Sequence, residues 1–389
     1  MDLIKLNELC DINIGKTPSR SKSEYWGNGH KWIAISDLKE KFIYKTKEEI
    51  TDIAVDKCNM KVIRKDTVVM SFKLSIGKTA ILKEDMFSNE AIANFPIKNK
   101  DKIIPEYLYY AIKTLNFDNT DRAVMGATLN KSKLNEIKIP YCDINMQHKI
   151  VKGLDKAQEL VDKRKEQIEC LDELVKSRFI EMFGDPVLNP MRWEKRVLKE
   201  LVTEDCTISY GIVQTGDEQN EGIPVFRPVD IVNNKKPILN GLKKTTEEIS
   251  NRYKKTILQG NELLMTVRAN IGDTCIIGEE FKGCNVGRGI VPIRLTNELN
   301  TVFAKYQLDS YGVQRELKSL AKGITLIQLN MEDLREFPLV IPPIELQNQF
   351  TEFVNQIDKL KFDIEKSLKD LEDNINVLMQ KSFKGDLFK

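Results

Sequence analysis

Hydrophobic residues in two stretches of the chain recur at alternating three- and four-residue intervals. In the first stretch the seam runs Gln147, Ile150, Leu154, Ala157, Val161, Arg164, Ile168, Leu171, Val175, Arg178, Met182. Adding 200 to each number gives the second: Gln347, Phe350, Val354, Ile357, Lys361, Ile364, Leu368, Leu371, Ile375, Leu378, Ser382. This spacing lays one face of a helix along a partner, as the a/d positions of a coiled coil do. Helix punctuation flanks both stretches. Pro342-Pro343 suits a helix entrance and not its interior. Gly184-Asp185-Pro186 stops the first helix, and Gly385 follows the second. The pattern predicts long helices over residues 144–183 and within 344–389.

The repeat extends beyond the helices. Leu6-Asn7-Glu8-Leu9 matches Leu198-Lys199-Glu200-Leu201. Residues 32–38 match 225–231, 69–77 match 264–272, 89–96 match 285–292, and 126–129 match 323–326. A period near 200 residues is too long for a solenoid and means two large half-molecules. Each half opens with short β-branched or aromatic runs broken by Gly and Asn, as at 66–72, 78–83, 262–267 and 273–277. Such runs read as strands. A short helical pattern follows, at 105–115 and 301–317, then a Pro-containing strand at 137–140 and 337–343.

The expected fold class is α+β. Two similar globular domains, residues 1–143 and 184–343, are joined by helices 144–183 and 344–389. Only about ten residues separate the end of the first helix from the first strand of the second domain. A helix of that length spans about 60 Å. To bury its seam, the second helix must run back along the first. The expectation is a dumbbell on an antiparallel coiled coil, with a pseudo-twofold internal repeat.

Composition narrows the class of function. At 41% apolar and 30% charged residues it is ordinary for a soluble globular protein, and no apolar run approaches a membrane span. Met1-Asp2-Leu3-Ile4-Lys5 has no apolar core of a signal peptide. The seven cysteines are scattered, none in a C-x-x-C pair, and only His30 and His148 could join them on a metal. They read as reduced thiols of a cytoplasmic protein, with no metal site and no cofactor. No P-loop is present. Asn189-Pro190-Met191-Arg192 fails the Asn/Asp-Pro-Pro-aromatic pattern of adenine methyltransferases at its third position. The chain is therefore not expected to be an enzyme. A net charge of +2 permits nucleic-acid binding only where positive charge is clustered.

Several stretches together resemble the specificity subunit of type I restriction–modification systems. They are Ile14-Gly15-Lys16-Thr17-Pro18-Ser19 leading to Tyr25-Trp26-Gly27 and Trp32, and Ile76-Gly77 echoed by Ile271-Gly272. Pro342-Pro343-Ile344-Glu345 with Gln347 is a third. The junction Phe183-Gly184-Asp185-Pro186, with Asn189 and Trp193, is the most recognisable. The first half departs from the pattern at its helix entrance, where only Ile144 and Gln147 match, which predicts a looser cap there. The resemblance implies that each domain is a target-recognition domain reading half of a bipartite sequence in double-stranded DNA, with the helices as spacers. It implies a non-catalytic subunit that binds two methyltransferase subunits and, through them, restriction subunits. The alternative is a structural coiled-coil adaptor with two protein-binding heads.

On that reading, phosphate and base contacts fall to basic, hydroxyl and amide side chains on loops. In the first head these are Lys16, Thr17, Ser19, Arg20 and Lys22, then Lys73 and Ser75, and Lys131 in the run Asn130-Lys131-Ser132-Lys133. In the second they are Tyr210, Gln214, Thr215, Arg227, Arg268, Asn270 and Arg288. Trp26 and Trp32 are expected as core or loop anchors.

Overall fold

A computed structural model of the protein describes residues 1–115, 121–123, 126–128, 131–217, 219–231, 237–323 and 327–387. The chain forms two compact units, residues 1–165 with 366–389, and residues 166–365. Both long helices are continuous, Ile144–Phe183 and Ile344–Lys384, and each unit holds a part of both.

In the first unit, strand Asp2–Lys5 pairs antiparallel with Lys138–Tyr141, just before the first long helix. A five-stranded sheet follows in the order Asn13–Ile14, Ile92–Phe95, Val68–Ser71, Thr79–Leu82, Phe42–Ile43. Its three central strands are buried at every position, which explains why they read as unbroken apolar runs rather than alternating ones. A second sheet sets Trp26–Ile33 between Glu48–Ile50 and Phe87–Ser88. Helix Pro105–Lys113 buries Tyr107, Leu108 and Ala111 in the main core. That core also takes Ile150 and Leu154 from the first long helix, with Leu378 and Met379 of the second packed against it. Further along, Lys165 meets Glu372 at 2.9 Å. Numbers rise on one helix as they fall on the other, so the two segments run antiparallel.

The second unit repeats this plan. Strand Glu194–Val197 pairs antiparallel with Pro338–Ile341 before the second long helix. Leu263–Thr266 lies between Thr274–Ile276 and Ile290–Ile293, and Ile223–Phe226 lies between Lys243–Thr245 and Asn285–Val286. Even a helix cap recurs: Thr51 accepts from the Ala54 amide, and Thr246 accepts from the Ile249 amide. Leu171 and Val175 share one core with Val354 and Ile357, while Asp172 pairs with Lys361. These segments also run antiparallel, as the seam requires.

The structure corrects the sequence reading at several places. The seam leaves the strict heptad at the end of the first long helix. Phe179 and Phe183 are buried there, whereas Arg178 and Met182 are only half-buried. A straight helix drifts off a 3.5-residue repeat, and the drift here turns the phenylalanines onto Phe303 and Phe350. The match of 89–96 with 285–292 is displaced by two residues. Met70 faces Ala93 and Met265 faces Val291, so Ala93 corresponds to Val291. Shared Asn and Pro letters suggest the first match, and strand pairing sets the second.

The helix expected over 301–317 is two, Thr301–Asp309 and Tyr311–Leu320, broken at Ser310, which is extended with ψ 146°. The first long helix is capped without the prolines: the Asp143 carboxylate accepts from the Met146 amide at 3.0 Å. Of the matched segments 126–129 and 323–326, residues 129 and 324–326 lie outside the described residues, as does Asn130.

Candidate nucleic-acid interface

In the second unit, backbone hydrogen bonds lace four separate loops together. The Ile212 amide donates to Val286 O at 2.8 Å, and the Arg288 amide donates back to Ile212 O at 2.8 Å. Gly287 donates to Phe226 O, and Val267 donates to Gly289 O, both at 2.8 Å. A Cβ on Gly289 would lie 2.5 Å from Pro228 Cγ and 3.5 Å from Arg268 Cβ, so only glycine lets these loops close. The bonds gather the loops that carry Gln214, Thr215, Arg227, Arg268, Asn270 and Arg288.

The first unit shares three of these four bonds. Lys16 donates to Ser88 O at 2.7 Å, Asn89 donates to Ile33 O at 3.1 Å, and Phe72 donates to Ala91 O at 2.9 Å. Its loops bring together Lys16, Thr17, Lys73 and Ser75. Corrected for the two-residue displacement, Glu90 stands where the second unit has Arg288. The frame is shared and the charge on it is reversed.

The turn that carries Lys73 and Ser75, and its counterpart with Arg268 and Asn270, is built the same way twice. The Ser71 hydroxyl donates to Ser75 O and accepts from the Lys78 amide at 3.1 Å. Thr266 donates to Asn270 O and accepts from the Asp273 amide at 3.0 Å. Leu74 and Ala269 both sit in the left-handed region, at φ 62° and 61°, and Gly77 and Gly272 follow at 89° and 90°. A non-glycine residue pays a steric cost there, which surrounding structure must offset. Here the hydroxyl clamp and the adjoining strands do so. The result is a rigid tip with residues 73, 75, 268 and 270 on its flanks.

Individual candidates differ in how they are held. Arg20 makes a two-pronged pair with Glu48, one arm at 2.9 Å, and its guanidinium lies 3.7 Å from the Trp26 ring centroid. The hydrogen bond to Glu48 raises the Arg20 pKa and lowers that of Glu48. Trp26 packs edge-on against buried Trp32, so both tryptophans anchor this loop as expected. Thr17 donates to Glu90. Lys16 donates to Cys58 O at 2.7 Å, and Lys22 to the Tyr25 hydroxyl at 3.1 Å. Lys73 extends over the Phe72 ring at 5.5 Å. Ser19 bonds Ser21 at 2.8 Å, and Ser75 and Lys131 are exposed.

In the second unit, Arg227 is paired with Asp230, and Arg268 is held by Gln328. Tyr210 spends its hydroxyl on Leu329 O at 3.2 Å, and Thr215 O accepts from Thr245. Gln214, Asn270 and Arg288 are exposed. Glu48, Glu90 and Gln328 were not legible as site residues. Gln328 is brought to Arg268 by a backbone bridge, and Glu48 and Glu90 reach Arg20 and Thr17 from 28 and 73 residues away.

A cavity of about 530 Å³ opens behind the Arg268 turn in the second unit, lined by Phe179, Ile180, Asp273, Tyr306 and Tyr311 among others. Burial raises the Asp273 carboxyl pKa, and Asp309 adds to the effect. None of the predicted contact residues lines this cavity, which separates it from the laced loops. Among the described residues no group of three or more His, Cys, Asp and Glu could hold a metal ion.

One α+β unit used twice, with the same laced loops carrying different side chains, defines a duplicated recognition protein. The profile of the type I restriction modification DNA specificity domain matches residues 1–170 and 190–372, and the chain belongs to that family. The MjaIX type I restriction enzyme specificity subunit of Methanocaldococcus jannaschii is 26% identical over 414 residues, covering 99% of this chain and 93% of the relative. The EcoBI specificity subunit of Escherichia coli is 24% identical over 356 residues, covering 83% and 74%. A chain from a structure of the assembly and conformational transition of the type I R-M system superposes with a TM-score of 0.62. That alignment has 17% identity and covers 99% of this chain and 98% of the other, a likeness of fold.

Proposed function

We infer that this chain is the DNA-specificity subunit of a type I restriction–modification complex. The observation that carries the reading is the duplication itself: similar loop frames in both units bear different side chains, in a chain of the specificity family. Residues 1–143 read one half of a bipartite target and residues 184–343 read the other. The helices 144–183 and 344–389 set the spacing between the half-sites.

The chain catalyses nothing and directs subunits that do. Its partners are double-stranded DNA, two methyltransferase subunits and, through them, restriction subunits. Exposed apolar residues on the long helices, among them Leu174, Ile180 and Phe362, support docking of such subunits there. The cytoplasm is where DNA and these subunits meet. Among the described residues no helix is long and apolar enough to cross a membrane.

In the first head, Lys16, Thr17, Ser19, Arg20, Lys22, Lys73, Ser75 and Lys131 supply the contacts. In the second, Tyr210, Gln214, Thr215, Arg227, Arg268, Asn270 and Arg288 do so. Positive charge on these loops favours phosphate, and the arginines and amides suit base edges.

Co-purification with cognate methyltransferase subunits, followed by DNA binding at several salt concentrations, tests the reading. Salt-sensitive binding and methylation of a bipartite sequence are expected. A complex that binds no DNA would point instead to an adaptor with two protein-binding heads.

A further inference from the structure

Gln328 belongs to no motif, and its place in the fold gives it a role. Its backbone forms an antiparallel bridge with Arg268 and a second with Lys322. The next residue, Leu329, donates to Val267 O at 2.9 Å and accepts from the Tyr210 hydroxyl. Strand pairing therefore sets Gln328 beside Arg268 before any side-chain bond forms. The side chains then join: Arg268 Nε donates to Gln328 Oε1 at 2.8 Å, and Nη2 donates to the same oxygen.

A guanidinium has two edges that can each present a pair of donors. Gln328 takes the Nε–Nη2 edge. The remaining Nη1–Nη2 edge carries the two parallel donors that match O6 and N7 of guanine in the major groove. The acceptor is neutral, and this matters. Arg20 is forked by the Glu48 carboxylate and Arg227 by that of Asp230, so in each the positive charge is offset. An amide oxygen fixes orientation and leaves the charge of Arg268 in place for DNA. The neighbouring left-handed Ala269 and the Thr266 clamp hold the backbone of the same turn.

We propose that Gln328 is a positioning residue that presents Arg268 to a guanine in the half-site of the second head. The proposal rests on the reading of that head as a DNA reader. It adds a residue that acts through Arg268, and it commits the half-site to a G·C pair at that position.

The test uses the full chain assembled with its methyltransferase subunits. Methylation sequencing first gives the target. Methylation rates are then measured on duplexes carrying each single substitution in both half-sites, for Arg268→Ala, Gln328→Met, Gln328→Glu and the double variant Arg268→Ala/Gln328→Met. Met keeps the volume and removes the acceptor; Glu keeps the acceptor. Gln328→Leu replaces the Met variant should thermal melting show that protein unfolded.

Arg268→Ala and Gln328→Met should each lose preference at the same G·C pair, on the order of tenfold. The double variant should be no worse than Arg268→Ala, because both act through one contact. Gln328→Glu keeps the acceptor and should keep the preference for the G·C pair, while its carboxylate offsets the Arg268 charge and should slow methylation of all duplexes alike, a split between preference and overall rate that a merely structural role would not give. The half-site of the first head should be read normally throughout. Should Gln328→Met keep wild-type preference, or relax a different pair, while Arg268→Ala acts at its G·C, the positioning role is wrong and the DNA reading stands. Should Arg268→Ala relax nothing, the positioning role falls with it, whereas the reading of the head as a DNA reader falls only if no half-site maps to that head.

Discussion

Gln147 and Gln347 hold the entrances of the two long helices by the same three hydrogen bonds. Gln147 Oε1 accepts from the Ile104 amide at 3.1 Å, and Nε2 donates to Lys102 O and Cys142 O at 2.8 and 2.9 Å. Gln347 Oε1 accepts from the Asn300 amide at 2.8 Å, and Nε2 donates to Glu298 O and Pro342 O at 3.1 and 2.7 Å. Both side chains are fully buried. Each glutamine ties the start of its helix to the loop before the short helix of its own head. A buried polar group at a seam position is tolerated because all of its partners are supplied.

Gln147→Ala should strand the Ile104 amide and two carbonyls. A buried donor left unpaired costs roughly 1–3 kcal/mol. Denaturant unfolding should show a loss of that order, and hydrogen exchange should quicken at the Ile104 amide. Gln347→Ala should do the same at the Asn300 amide.

Phe183 marks where the helix seam becomes domain core. Its ring meets Phe179, Phe303 and Phe350 with centroids 5.2, 4.7 and 5.7 Å away. Phe183→Ala should cost about 3–5 kcal/mol, as removal of a buried aromatic usually does. Exposed Leu174, one of the neighbouring apolar residues on the same helix, should change stability by less than about 0.5 kcal/mol when replaced by Ala. Thermal melts of the two variants should separate core from surface.

The Arg20–Glu48 pair masks a cation on a loop proposed to contact DNA. Glu48→Gln removes the competing charge and should raise affinity for DNA of any sequence, with a salt slope steeper by about one unit. The same pair carries a pH signature. Hydrogen bonding from Arg20 holds the Glu48 carboxyl below its ordinary value. A depressed carboxylate contributes stability above its unfolded pKa and loses that contribution as pH falls through the folded value. Acid should therefore release Arg20 in the wild type, while binding by Glu48→Gln should lack that acid-dependent rise. DNA-binding isotherms across pH and salt measure both effects.

Much of this architecture was legible in the sequence, for a physical reason. The heptad seam is local, and every seam position from Gln147 to Met182 and from Gln347 to Ser382 is buried or half-buried. The bounds at Ile144, Phe183 and Ile344 follow from proline, glycine and the start of the period. What was illegible depends on partners far along the chain. Phe179 and Phe183 left the heptad because Phe303 and Phe350 were there to receive them. Strand pairing set the true correspondence of Ala93 with Val291, whereas matching letters had set the false one. Among candidate contacts, Arg20 and Arg268 stand out in the sequence by residue type and loop position, whereas Glu48 and Gln328 come from distant segments and carry no signal of their own.

Inserting four residues into each long helix should lengthen the gap between the half-sites. One added turn is about 6 Å, close to two base pairs at about 3.4 Å each. Methylation sequencing should report the same bases on each side of a longer spacer. Altered bases on either side would contradict the assignment of spacing to the helices.

Exchange of a whole head tests the central claim most directly. Strands Glu194–Val197 and Pro338–Ile341 pair with each other, so a segment cut at these strands leaves both long helices intact. Residues 194–341 are replaced by the corresponding region of a relative with a different target, and the methylated sequence is mapped across a genome. The account predicts a hybrid target: the half read by residues 1–143 unchanged, the other half that of the donor, and the spacer length retained. A target changed in both halves, or in neither, would contradict independent reading by two heads.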